Sequence, residues 1–214
     1  GGMTGSFAVL AGFYLWEKRS RYPMLDFSLY RISAFALGNL TALLVFTANF
    51  FTMVLMPFFM QNVLSLSVEK TGYMMMVYPI TMAVIAPLSG YLSDRIGTKL
   101  LTTAGLLLML AGFVCLATMP AKASLVLLGL FLALFGLGGG MFHSPNNASI
   151  MGAVSAEKLG SAGGLNALAR NIGMVLGTSV SVSVYAAGLH HFGGGVSTPD
   201  PHATMSALRI SFGA

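Results

Sequence analysis

Two long stretches without a single charged side chain flank the segment "GYLSDRIGTK" at residues 90–99. Residues 71–93, before Asp94, and residues 100–121, after Lys99, contain no Asp, Glu, Lys or Arg. A helix of about 20 apolar residues crosses a hydrocarbon core of roughly 30 Å, and each gap has that reach. In lipid every backbone N–H and C=O must find its partner within the segment or its barrel. Nothing in these stretches alternates as barrel strands do, so the spans are predicted to be helices. Composition agrees where it matters: the 214 residues are 56% hydrophobic and 8% charged, against roughly 25% charged in an average soluble domain. Six acids and eleven bases cannot clothe a water-facing surface of this size. The expected fold class is an all-α integral membrane protein.

Reading the other gaps the same way predicts spans over 32–57, 71–92, 100–119, 124–143 and 161–188, five complete crossings. Residues 1–16 read as the end of a preceding transmembrane helix, 17–31 as a cytoplasmic basic loop, and 32–214 as the transmembrane body, truncated in a last helix after 206. The start is apolar first and basic after, the reverse of a signal peptide, and both ends read as cut. Orientation follows from the bases. The loops 17–31, 93–99 and 144–160 carry Lys18, Arg19, Arg21, Arg31, Arg95, Lys99 and Lys158, whereas the opposite side carries Lys70 and Lys122. The richer set is predicted to face the cytoplasm, which places the protein in the cell (inner) membrane as a multi-pass chain. The net charge of +5 is therefore loop charge, and no basic patch with interleaved aromatics suggests a nucleic-acid partner. Cys115 is alone in an apolar run and reads as a small buried hydrophobe.

The charged turn asks for more than the usual basicity of inner loops. Asp94 is expected at the N-cap or first turn of the following helix, where a carboxylate suits the helix dipole. Gly97 would permit a sharp turn, and Gly90 a close helix approach. Gly90, Leu92, Asp94, Arg95, Gly97 and Lys99 also match, position by position, the G-x-L-x-D-R-x-G-x-K/R signature. In these residues the chain resembles the major facilitator superfamily, where the signature joins the second and third helices of a six-helix half. The resemblance implies that these six residues form a cytoplasmic gating motif.

A second likeness extends over most of the chain. "WEKRSRYPMLDFSLYR", "MPFFMQNVLSLSVEKTGYMMMVYPITMAVIAPLSGYLSDRIG" and "GLGGGMFHSPNNASIMGAVSAEKLGSAGGLNALARNIGMVLGTSVS" look like the C-terminal half of the fourteen-helix drug:proton antiporters. That likeness implies a C-terminal six-helix half, built from inverted three-helix repeats, and export of hydrophobic or cationic compounds in exchange for protons. Its implied partners are membrane lipid, hydrophobic small molecules, protons and an N-terminal half absent from this sequence. The coupling carboxylates of the subfamily are expected in that other half. A metabolite or sugar carrier of the same superfamily, and a non-transporting membrane subunit or sensor, are the alternative readings.

Within the first span Asn39, Phe46, Asn49, Phe50 and Met53 recur on one helical face. Two readings stay open: interhelical packing with Asn as hydrogen-bond glue, or the wall of a substrate cavity, which the resemblance favours. Arg170 lies nine residues into the fifth span, about 14 Å along the axis at 1.5 Å per residue. It either snorkels to the headgroups or serves the cavity; Asn166 and Asn171 beside it are weaker candidates. His143, ending the fourth span, is expected at the membrane interface, with a proton-relay role as the alternative reading. Pro57, Pro79 and Pro87 are expected to kink or end helices. The pairs Gly136/Gly140, Gly160/Gly164 and Gly173/Gly177 are expected at close helix crossings. His190, His191 and His202 lack fixed spacing, so no metal is expected. No phosphate loop, cofactor motif or catalytic constellation points to an enzyme.

Overall fold

A computed structural model describes residues 26–119 and 124–192, and it is helical almost throughout, with no strand among the described residues. The readings of residues 1–25, of Lys122 and of everything after 192, including His202, lie outside the described residues, as do the side chains of His190 and His191. Helix α1 spans Ser33–Phe58 and continues into a π-helical turn, Phe59–Val63. After a short linker come α2, Val68–Met75, and α3, Val77–Ile96. Then follow α4, Thr98–Ala117, α5, Leu125–Gly152, and α6, Leu159–Phe192. Five segments are long and apolar enough to cross a membrane: Ser33–Val63, Val68–Ile96, Thr98–Ala117, Leu125–Gly152 and Ala156–Ala187.

The fourth crossing does not stop at His143. Helix α5 runs on to Gly152 with Pro145 inside it. A proline removes the N–H that would satisfy the carbonyl four residues earlier, here Met141. The Ser89 hydroxyl of α3 donates to that carbonyl at 3.1 Å, so the break is mended by a neighbouring helix. Pro79 falls in the first turn of α3, where the missing N–H is one of the orphan donors in any case. Pro87 lies inside α3, and the helix continues beyond it to Ile96.

Helix α5 is central, packed against α3 and α4 and touching α1, while α1 pairs along its length with α6. Helices α3 and α4 barely meet, although Gly97 alone connects them. In an inverted repeat α1 corresponds to α5 and α3 to α6, so the α5–α3 and α1–α6 crossings are counterparts. Small residues set both. A Cβ on Gly136 would lie 2.7 Å from the Tyr78 carbonyl, and one on Gly177 would strike the Thr47 carbonyl. A Cβ on Gly138 would come within 2.5 Å of the Met109 nitrogen of α4. Gly160 has nothing within 4 Å, so this glycine marks no close crossing.

At one end of the bundle Leu55, Met60, Leu116, Leu128 and Leu132 form a buried cluster. At the other, Leu29, Phe35, Ile150 and Leu165 do so. There Lys158 pairs with Asp26 at 2.6 Å, and the Asp26 N–H donates to Ser161 Oγ, also at 2.6 Å. The segment leading into α1 is thereby tied to the start of α6.

Candidate functional site

A cavity of about 700 Å³ opens between α1, α3, α5 and α6. Helix α1 contributes Phe46, Asn49, Phe50 and Met53, and α3 adds Tyr78 and Met82 at a spacing of one turn. These make a wall of aromatic rings and thioethers. His143, Asn146 and Asn147 of α5 with Asn166 and Arg170 of α6 supply the polar lining. Their presence depends on the continuation of α5 past Pro145: without the last two turns of that helix the asparagines would be loop residues.

The polar groups are mostly held by one another. Asn49 Nδ2 donates to the Tyr78 hydroxyl, which in turn lies 3.6 Å from Met82 Sδ. Asn146 Nδ2 donates to the Gly38 carbonyl at 3.2 Å, bracing α5 on α1. Asn166 Nδ2 donates to Asn147 Oδ1 at 2.7 Å, while Asn166 Oδ1 is buried without a partner among the described residues. The Arg170 guanidinium lies 5.5 Å from the Phe46 ring centre, and the His143 ring 4.9 Å from the same ring. Beyond the Asn49–Tyr78 contact a second, apolar space of about 140 Å³ is lined by Thr52, Met56, Met75 and Phe135 among others.

Of the residues singled out in the sequence, Phe46, Asn49, Phe50, Met53 and Arg170 all line this cavity. Asn39 does not: it is 1% exposed and donates to the Phe35 carbonyl at 2.9 Å, one turn back on its own helix. Asn166 lines the cavity and Asn171, exposed, does not. His143 is inside α5 and on the cavity, not at a helix end. Tyr78, Met82, Asn146 and Asn147 were not anticipated. Two signals pointed to them: the four-residue spacing of Tyr78, Met82, Ala86 and Gly90, and the absence of charge from Ala123 to Ala156.

The signature residues adopt a different arrangement from the one expected. Helix α3 runs through Asp94 and Arg95 to Ile96, so Asp94 occupies its last turn and not the first turn of α4. The connection is a single residue, Gly97, at φ 92° and ψ 150°. Arg95 covers the Tyr91 ring at 4.6 Å. Gly90 does permit close approach: a Cβ there would lie 2.9 Å from Ser144 Oγ of α5. Leu92, Asp94, Arg95 and Lys99 are exposed, and the Asp94 side chain has no hydrogen bond or ion pair to another described residue.

Comparison with known proteins accords with this geometry. The Major Facilitator Superfamily model matches residues 1–181. The chain is similar to the riboflavin transporter RibZ of Clostridioides difficile, 35% identical over 82% of this chain and 38% of that protein. It is similar to the multidrug resistance protein Stp of Mycobacterium tuberculosis, 35% identical over 94% of this chain and 36% of that protein. It is also similar to the multidrug transporter protein MdtP of Bacillus subtilis, 27% identical over 80% of this chain and 32% of that protein. The chain thus spans little more than a third of the length of the curated relatives it matches. Its five apolar crossings and its match over residues 1–181 lead to one assignment: this is a multi-pass membrane chain that belongs to the major facilitator superfamily.

Proposed function

We propose that this chain is the C-terminal six-helix half of a fourteen-helix carrier of the cell (inner) membrane. In this reading the carrier exports hydrophobic or cationic compounds in exchange for protons. The observation that carries the reading is the cavity of about 700 Å³ with Phe46, Phe50, Met53, Tyr78 and Met82 on one wall. Its size is that of a drug-sized ligand site, roughly 300–1,000 Å³, and flexible thioethers among rings adapt to varied apolar shapes. The likeness to proteins named for multidrug resistance and multidrug transport supports the same reading. Phe46, Asn49, Phe50, Met53 and Arg170 are proposed to touch the cargo, joined by Tyr78 and His143. Asn39 has a packing role.

The exposed motif supports a latch. A carboxylate in the last turn of a helix opposes the dipole, so Asp94 is better placed to meet a donor on another helix set than to stabilise α3. The cytoplasmic orientation read from Arg95, Lys99 and Lys158 is part of this proposal. No described acid lines the cavity, which supports proton-carrying carboxylates in the N-terminal half. The amide- and Arg-bearing wall favours a second reading, a carrier for one metabolite rich in hydrogen-bonding groups.

Efflux from cells expressing the complete protein, with and without a protonophore, tests the proposal. Export of several unrelated apolar dyes that collapses with the proton gradient is the expected result. Export of a single metabolite and no dye would favour the second reading. An inserted protein that moves nothing would point to a non-transporting relative.

A further inference from the structure

Arg170 carries the only formal charge on the cavity wall among the described residues. The four described acids lie elsewhere: Asp26 pairs with Lys158, Glu69 opens α2, Asp94 ends α3, and Glu157 sits in the short turn before α6. An arginine side chain cannot shed its proton in a protein. One face of its guanidinium is covered by the Phe46 ring at 5.5 Å. The N–H donors around the edge of that plane have no acceptor among the described residues. One helical turn earlier, Asn166 is 5% exposed, lines the same cavity and leaves Oδ1 without a donor. A permanent cation, exposed at the cavity and stacked on Phe46, and an open acceptor therefore line one cavity together with rings and thioethers.

We infer that the preferred cargo of this cavity is a flat aromatic compound bearing a carboxylate or comparable anionic group. The anionic group sits on the Arg170 guanidinium, and the ring system lies along Phe50 and Met53. A donor on the cargo, where present, reaches Asn166 Oδ1. Phe46 is a positioning residue: its ring props the guanidinium and fixes the direction of the fork. A permanent cation of the same size meets like charge at this wall and is disfavoured. The inference rests on the reading of this cavity as a cargo site; it keeps the hydrophobic part of the proposed cargo range and replaces the cationic part with aromatic anions.

The test uses the complete protein in lipid nanodiscs and three probes built on one ring system: pyrenecarboxylate, its neutral methyl ester, and pyrenemethylammonium. Binding is read by fluorescence anisotropy. Charge-assisted hydrogen bonds to a guanidinium predict that the carboxylate binds roughly tenfold or more tighter than the ammonium. Arg170→Gln is expected to weaken carboxylate binding about 10- to 100-fold while leaving the ester within about threefold. Arg170→Lys, which keeps the charge and loses the fork, should fall between. Ester binding certifies in the same sample that each variant is folded, and the wild-type and Arg170→Lys ratios decide the matter if Arg170→Gln does not accumulate. Equal or tighter binding of the ammonium by the wild type would overturn the inference. So would an equal loss of all three probes in the variants, the result expected if Arg170 pairs with an acid elsewhere in the protein. Vesicle transport separates this outcome from the export proposal. Arg170-dependent binding without movement of any probe keeps the inference and removes export; pumping of the ammonium with the carboxylate excluded does the reverse.

Discussion

Two residues of the signature, Gly97 and Asp94, occupy positions that single out their side chains, for different physical reasons. Gly97 has φ 92° and ψ 150°, a backbone region essentially restricted to glycine, where other residues are strained by about 1–3 kcal/mol. Gly97→Ala is expected to destabilise the complete protein by that amount, read as a lower unfolding midpoint in detergent, although the site has open space around it. Asp94 opposes the dipole of α3, so Asp94→Asn is expected to leave stability unchanged or raise it by about 0.3–1 kcal/mol. The same change is expected to reduce transport at least tenfold if the carboxylate latches to another helix set. A loss of stability together with transport would instead make Asp94 a structural residue. At this scale the sequence was partly legible. The helical spacing of Phe46, Asn49, Phe50 and Met53 puts them on one face, and that face lines the cavity. Asn39 shares the spacing but not the cavity. Periodicity reports the direction of a side chain and not the height at which the neighbouring helices diverge, and at Asn39 they are still in contact.

The elements were legible in existence and less so in extent. Four of the five membrane-length helices correspond to gaps between charges, because charge in lipid is costly; the fifth, Ala156–Ala187, carries Arg170 within it. The end of α5 was misread because Pro145 and two asparagines resemble a loop. The compensating group, Ser89, lies on another helix, and no local pattern reveals it. A double-mutant cycle checks this repair. Ser89→Ala should destabilise by about 0.5–2 kcal/mol, since it strands the Met141 carbonyl. In a Pro145→Ala background the same change should cost much less, because the restored N–H satisfies that carbonyl. Equal losses in both backgrounds would show that Ser89 acts through packing alone. At the α4–α5 contact, Gly138→Ala is expected to destabilise by about 1–3 kcal/mol, since its methyl group would meet the backbone of Met109 and Gly105 as well as the Met109 side chain.

For the whole molecule, the paired crossings α5–α3 and α1–α6 leave a cavity between them, and the Asp26–Lys158 contact ties the segment leading into α1 to the start of α6 at one end. The hydrogen bond from Lys158 is the largest cause holding the Asp26 carboxyl down at about 2, below its usual 3.8. A carboxyl with a lowered folded value contributes stability above its ordinary range and loses it as pH falls through about 2. Unfolding midpoints should therefore be flat near neutrality and decline on acidification, with the Asp26 component absent in Lys158→Ala; the component is small, because the pair is partly exposed. The cargo binding proposed for this cavity is addressed directly by one labelling experiment. In the complete protein with Cys115→Ala as background, Met53→Cys is labelled with a maleimide in the presence and absence of an exported dye, and Ser155→Cys in the loop before α6 serves as control. Cargo in the cavity predicts several-fold slower labelling at Met53→Cys and no change at Ser155→Cys. Identical rates at Met53→Cys with and without saturating dye would contradict the assignment of this cavity as the transport site.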